Sequence, residues 1–232
     1  MSSRSRKPKK ADAKPKTVDF NLTPQGFLIK SSGQQGSVEF FDKKFSDYQH
    51  QMKTMDPDYA YATAINKIKV VLDEISLNNR RPISCRAGCS ACCHSKVDIV
   101  PWEAELIKQH VAENNIRFDT RLLDIQSEAL KGEPGTYEKL PFADRRCIFL
   151  DADQKCSIYS VRPLMCRRHF VQSDPSFCKT EEFARIEIDV NPDVDAYLSA
   201  YVTHNATVPL PAFIQEQQAS FNSHTELADK AN

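Results

Sequence analysis

Apolar positions fall into helical register most clearly after residue 56. Asp56-Pro57 offers an N-cap followed by proline at the first helical position, and Tyr61, Ile65, Ile68, Leu72 and Ile75 then step by 4, 3, 4 and 3. A core-facing helix is predicted there. Pro101 opens a second helix with Trp102, Leu106, Ile107 and Val111 on one side, the tryptophan read as a core residue. Asp119 caps a third, in which Leu122, Leu123, Gln126 and Leu130 recur until Gly132 and Pro134 stop it. Asn191-Pro192 starts another, with Val194, Tyr197, Leu198, Tyr201 and Val202 as its apolar face, and Pro209 and Pro211 punctuate the segment beyond it.

Between the helices the pattern shortens. Val97 to Val100 is a brief apolar stretch. Cys147-Ile148-Phe149-Leu150, a polar turn Asp151 to Gln154, and Lys155-Cys156-Ser157-Ile158 suggest two short strands whose hairpin brings the two thiols near each other. Ser160 to Arg168 is expected to form a short helix bearing Cys166. The resulting fold class is α+β and mainly helical, a small single domain built around a cysteine metal site, with a short β-hairpin and a flexible basic N-terminal tail.

Four regions are expected. Residues 1–18, rich in Lys, Ser, Ala and Pro, read as a disordered tail that buries too little apolar surface to order itself. Residues 19–45 hold apolar pairs, Phe27-Leu28 and Phe40-Phe41, broken by Gly and Ser, and read as an irregular or short extended extension. Residues 46–205 form the metal-binding domain and 206–232 a C-terminal extension. The 232 residues, 41% of them hydrophobic, suffice for one sizeable core.

Charge changes this picture little. The formal net charge is zero, but residues 1–16 carry seven Lys or Arg against one Asp, and the remaining 24 basic and 30 acidic residues leave a body charge of −6. The basic tail admits a nucleic-acid or acidic-partner arm, although such tails commonly only aid solubility. No apolar run serves as a secretory core or a membrane span, so a cytoplasmic protein is expected.

The chemistry lies in eight cysteines. Cys85, Cys89, Cys92 and Cys93 crowd a nine-residue window, and Cys147, Cys156, Cys166 and Cys178 lie downstream. Thiols packed this closely oxidise, and their thiolates repel, unless a metal holds them. In a reducing compartment ligands are the better reading than crosslinks, and the adjacent Cys92-Cys93 pair bridges only with strain. Soft thiolates suit zinc, copper(I) and iron-sulfur clusters, each taking three or four protein ligands. Spacings of two or three residues let a loop turn two sulfurs onto one ion, whereas directly adjacent cysteines tend to point apart.

Basic residues surround the thiols. Residues 80–96 contain Arg80, Arg81, Arg86 and Lys96 and no acid, and residues 145–168 hold six basic residues against Asp151 and Asp153. Such cations offset the negative charge of a thiolate centre or simply form a solvated positive face. His94 comes directly after the knot and His169 lies three residues after Cys166, each a possible ligand or proton carrier or a bystander. His50, His110, His204 and His224 have no such neighbours.

C-x3-C-x2-C-C, together with Arg146-Cys147-x-Phe149-Leu150 and Cys156-x-Ile158-Tyr159-x-x-Arg162-Pro163-x-x-Cys166-Arg167, resembles the YkgJ-like cysteine-cluster family of zinc- or iron-chelating proteins. The resemblance runs from about Ser84 to Arg167 and implies a metal site formed by Cys85, Cys89, Cys92, Cys93, Cys147, Cys156 and Cys166, with Cys178 outside the pattern. One centre is expected from Cys85, Cys89 and one of Cys92 or Cys93, closed by Cys166, with the other thiols completing it or building a second. Flagellin lysine methylases, among wider relatives, carry a similar cluster, so the resemblance also admits a redox or protein-modifying role.

Two functions therefore stand open. One is a cytosolic protein holding iron, as an iron-sulfur cluster or a mononuclear centre, and acting on an unidentified protein partner or substrate. The other is a zinc-stabilised, non-catalytic binding module. The spacing Cys85-x3-Cys89-x2-Cys92 also equals the signature of radical S-adenosylmethionine enzymes. Ala91 stands where those enzymes carry an aromatic, however, and the roughly 140 residues downstream hold no strand-helix repeat for a barrel. A hydrolase is disfavoured by the lack of a nucleophile motif, and only six glycines leave no phosphate-binding loop.

Overall fold

Two large apolar cores, with a small cluster where Phe41 meets Ala196, organise the described residues. The computed structural model describes residues 35–78, 82–86, 88–178 and 191–218. The readings of residues 1–18 as a tail, of 19–34 as irregular and of 219–232 as an extension lie outside these described residues. Helices α1 (Gln35–Met52), α2 (Pro57–Asn78), α3 (Pro101–Glu113), α4 (Thr120–Lys131), α5 (Leu164–Arg168), α6 (Pro192–Asn205) and α7 (210–218) account for most of the described chain. The fold is α+β and mainly helical, as the pattern predicts.

The first core joins α2 to α6. Ala60, Ala64, Ile68, Val71 and Ile75 of α2 bury against Tyr197, Leu198 and Tyr201 of α6, with Leu164 and Phe170 from around α5. The buried stripe on α2 keeps Ile68 and Ile75 of the expected positions and adds Ala60, Ala64 and Val71, while Tyr61, Ile65 and Leu72 pack at its margin. Alanines there let the helices approach closely, and Tyr197 Oη donates to the Ala60 carbonyl at 2.9 Å. Helix α1 lies against α6. Its apolar positions Phe41, Phe45, Tyr48 and Met52 recur at 4, 3 and 4, so residues 35–45 are helical where an irregular extension is expected. Asp193 at the start of α6 binds α1 and α2 together, pairing with Lys67 at 2.5 Å and accepting from Tyr48 Oη at 2.7 Å.

The second core gathers α3, α4 and α7. Ala104, Ile107 and Val111 meet Leu122, Leu123, Ile148, Phe149 and Ile158, with Leu210, Phe213 and Ile214 closing it. Residues 206–218, expected to be an extension, therefore belong to the core. The punctuating prolines open α7 rather than end the fold, and Ser127 Oγ donates to the Pro211 carbonyl at 3.3 Å. Trp102 is 36% exposed, contrary to its core assignment. In the first turn of α3 the inward face belongs to Glu103 and Ala104, which turns the neighbouring indole outward.

Strands are few. β1 (Asp98–Ile99) pairs antiparallel with β2 (Val208–Pro209), Asp98 opposite Pro209. The expected hairpin from Cys147 to Cys156 is a reverse turn with one bridge, Leu150 to Cys156, flanked by hydrogen bonds from Asp151 N to Lys155 O and from Ser157 N to Phe149 O, both 2.9 Å. Neither arm extends into a strand, because Cys147 N donates to Cys93 O and Leu150 N folds back onto Cys147 O. The short helix predicted over 160–168 begins only at Leu164, since Arg162, before Pro163, is held extended at ψ 143°.

Arg168 ties α5 to α6. Its Nε and Nη2 grip the two carboxylate oxygens of Asp195 at 2.7 and 3.0 Å, and both side chains are nearly buried, at 10% and 15% exposure. Removing one partner leaves the other charge buried and uncompensated. Asp195→Ala is expected to lower the unfolding free energy by about 3–5 kcal/mol, read as a fall in the urea midpoint. An unchanged midpoint would show that the pair does not hold α5 in place.

Candidate metal centre

The upstream cysteine loop is pinned at both ends. Ser84 N donates to Val171 O at 2.8 Å and Ser84 Oγ to Gln172 O at 3.1 Å, which lays the Cys85 segment beside the chain that leaves α5. Cys85 Sγ accepts from Val171 N at 3.4 Å. Gly88, at φ 82°, turns the chain toward Cys89 through a conformation that side chains rarely adopt. A 3₁₀ turn, Ala91–His94, then carries Cys92 and Cys93.

His94 belongs to this scaffold. Its ring stacks on Phe142 at 3.9 Å, and Nδ1 lies 3.1 Å from the Ser90 carbonyl. Burial, more than the opposing backbone contacts, lowers its pKa and favours the neutral ring. The downstream loop is held to the same turn, for Cys147 N donates to Cys93 O at 2.7 Å and Ser90 Oγ to Gln154 Oε1 at 2.8 Å.

Two buried polar side chains set the remaining segments: Gln126, which the apolar pattern of α4 includes, and Glu103, which the pattern of α3 leaves out. Gln126 Nε2 donates to the carbonyls of Asp144 and Arg146, at 2.9 and 2.7 Å, and so fixes the approach to Cys147. Glu103, 2% exposed, accepts from Val100 N at 3.2 Å with one oxygen and from Leu164 N with the other. It thereby joins the start of α3 to the start of the helix that carries Cys166. Glu103 lacks an obvious sequence signal beyond its place in a helix's first turn, where carboxylates cap backbone N–H groups.

All eight cysteines are free thiols, and three of them line the two cores. Cys85 packs against the first core, Cys147 and Cys156 against the second. Cys178, 3% exposed, sits in a 3₁₀ turn, Pro175–Cys178, that packs on the turn bearing Cys92 and Cys93. It lies within electrostatic reach of Cys92, Cys85 and Cys89. Cys166 lies likewise within reach of Cys147, Cys92 and Cys156. The sulfurs thus fall into an upstream group, Cys85, Cys89 and Cys178, and a downstream group, Cys147, Cys156 and Cys166, with Cys92 in reach of both. The Cys92 and Cys93 thiols share a hydrogen bond, so the 3₁₀ turn brings the adjacent pair together where they were expected to diverge.

Among the described residues, no three His, Cys, Asp or Glu side chains are drawn into a ready coordination shell. Burial raises the pKa of Cys85, Cys156 and Cys166, while the bond to Cys93, and after it burial, raises that of Cys92. His169 Nε2 is buried without a partner, and burial, with the Arg168 charge second, lowers that imidazole's pKa. The donor set fits a soft metal, since several thiols with overlapping fields are stabilised as thiolates by a cation at their centre.

Burial, and then neighbouring sulfurs, push Cys147 and Cys178 up to about 12 from an ordinary value of 9.0. Between those values the unfolded chain loses these protons while the folded chain keeps them, so stability falls as pH rises through that interval. Metal-free, reduced protein is expected to lose unfolding free energy from about pH 9 upward. Denaturant titrations at stepped pH in reductant check this, and a flat profile would place both thiols in water.

The CxxCxxCC family model, described as a putative zinc- or iron-chelating domain, matches residues 84–189, a little under half of the chain. No curated protein and no solved structure matches the chain. The match reaches past the expected boundary at Arg167 and takes in Cys178. The matched segment, residues 84–189, holds all eight cysteines.

Proposed function

We propose that the protein chelates iron or zinc through cysteine thiolates, with the metal held in two groups that meet at Cys92. The observation that carries this reading is the position of Cys92, within reach of Cys85 and Cys178 on one side and of Cys147 and Cys166 on the other. Cys85, Cys89 and Cys178 would hold one ion or cluster edge. Cys147, Cys156 and Cys166 would hold the other, with Cys92 and Cys93 completing the two.

The number of sulfurs favours iron. A closed zinc site takes four ligands, and eight free thiols exceed it. Iron, alone or as an iron-sulfur cluster, supplies one-electron chemistry when bound, which suits a redox or protein-modifying role toward a protein partner in the cytoplasm. The protein's own residues contribute the enclosure. Glu103 and Gln126 hold the loops by backbone hydrogen bonds, and Arg162, Arg167 and Arg146 offset thiolate charge near Cys92, Cys156 and Cys147.

A second reading has its own support. The cysteine loops are built of 3₁₀ turns and a single β-bridge, so a zinc ion tying them together would supply folding energy without any reaction.

Anaerobic purification with metal analysis and an optical spectrum separates these readings. Brown protein with broad visible absorbance supports the iron centre, and colourless protein with stoichiometric zinc supports the second reading. Folded, reduced protein without metal overturns both. Cys178→Ser is expected to lose only the upstream portion of the bound metal, whereas Cys92→Ser loses metal from both groups. Equal loss from the two variants would break the proposed division.

A further inference from the structure

Arg162 stands near thiols of both cysteine groups. It lies within electrostatic reach of Cys85 and Cys92 upstream and of Cys156 downstream. Among the other arginines, Arg146 acts on Cys147 and Arg167 on Cys156. The guanidinium carbon stands 4.1 Å from the centre of the Tyr159 ring, and Tyr159 itself is 60% exposed. The tyrosine thus covers the cation from the solvent side. Arg162 Nε is buried and has no hydrogen-bond partner.

A buried guanidinium N–H without an acceptor is costly to leave so, because its water has been removed and nothing replaces it. The backbone gives the side chain little freedom to escape. Pro163 restricts the residue before it, and Arg167 Nε holds the Arg162 carbonyl at 2.9 Å. A neutral thiol is a weak acceptor, whereas a thiolate sulfur is a charged one that shortens and strengthens the bond.

We infer that the Arg162 guanidinium donates its Nε hydrogen to a metal-bound thiolate at the junction of the two cysteine groups, and that Tyr159 holds it there. Arg162 is a positioning residue in this arrangement. It bears no metal, but its hydrogen bond and charge lower the nucleophilicity of the sulfur and slow the departure of the metal. The inference rests on the chelating function proposed above.

The test compares release of the native metal to an excess of chelator from full-length protein purified anaerobically, with thermal midpoints measured alongside. Arg162→Gln is expected to release metal about tenfold or more faster, the size typical of losing a partner to a metal ligand. Arg162→Lys keeps the charge without the planar Nε donor, so its rate should fall between. Tyr159→Leu changes an exposed side chain and is expected to speed release in the same direction even if Arg162→Gln folds poorly. Arg86→Gln, an exposed cation next to Cys85 in sequence, should release metal at the parent rate. Parent rates for both Arg162→Gln and Tyr159→Leu overturn the role of Arg162, as does an equal acceleration in Arg86→Gln, which would mean net charge alone. A parent protein without metal overturns the chelating function and this inference together.

Discussion

Burial of sulfur beside sulfur is the constraint on which the rest of the structure depends. Cys147, Cys166 and Cys178 resist ionisation because water has been removed, and neighbouring sulfurs add to that resistance. Deprotonating several of them without a cation would place like charges in a poorly screened space. With a metal ion the same crowding becomes favourable, since every raised thiol is a ligand whose proton the metal displaces. Two cores, one lined by Cys85 and the other by Cys147 and Cys156, are a direct way to create such a space. Neither the α2–α6 core nor the α3–α4–α7 core encloses the cysteines by itself.

Holding irregular loops in place requires polar side chains in the interior, and the chain uses few of them economically. Gln126 and Glu103 each satisfy two backbone groups and reach segments 18 to 61 residues away. Arg168 and Asp195 do the equivalent for α5, with two hydrogen bonds between nearly buried charges. Apart from the bond from Val100 N to Glu103, which caps the start of α3, these contacts join separate segments of the chain. The backbone around Cys92, Cys93 and Cys147 is therefore positioned by hydrogen bonds to distant elements, and regular secondary structure contributes little to it.

Much of this was legible in the chain. The caps at Asp56, Asp119 and Asn191 are local chemistry, each a side-chain oxygen accepting backbone N–H groups within three residues, and the helices they start are where the pattern places them. The apolar period locates helices better than it locates their inward faces. On α2 the buried stripe runs through alanines that carry no hydrophobic emphasis, and Trp102 faces outward although its neighbours are core. The Cys147–Cys156 hairpin reads as strands because β-pattern and turn chemistry are both present, yet Cys147 N pairs with a loop 54 residues earlier, a contact that no local pattern encodes. Residues 35–45 and 210–218 hide their helices for a simpler reason. Gly36 near the first and Pro209 and Pro211 at the second read as breaks, and the apolar positions they flank are covered by α6 and by the second core.

Cys178 shows what spacing alone leaves out. Motif spacing is informative when a short loop must place two ligands on one ion, because the closure geometry limits the number of intervening residues. A ligand delivered by a separate turn obeys no such limit, since its distance along the chain is set by the elements between. Cys178 reaches the upstream thiols by the packing of one 3₁₀ turn on another, ten residues beyond α5. The same reasoning applies to Arg162. Its place four residues before Cys166, just ahead of Pro163, is read from the chain, but its reach to Cys85 and Cys92 comes from the tertiary fold, and only the folded chain sets the cation near both groups of sulfur.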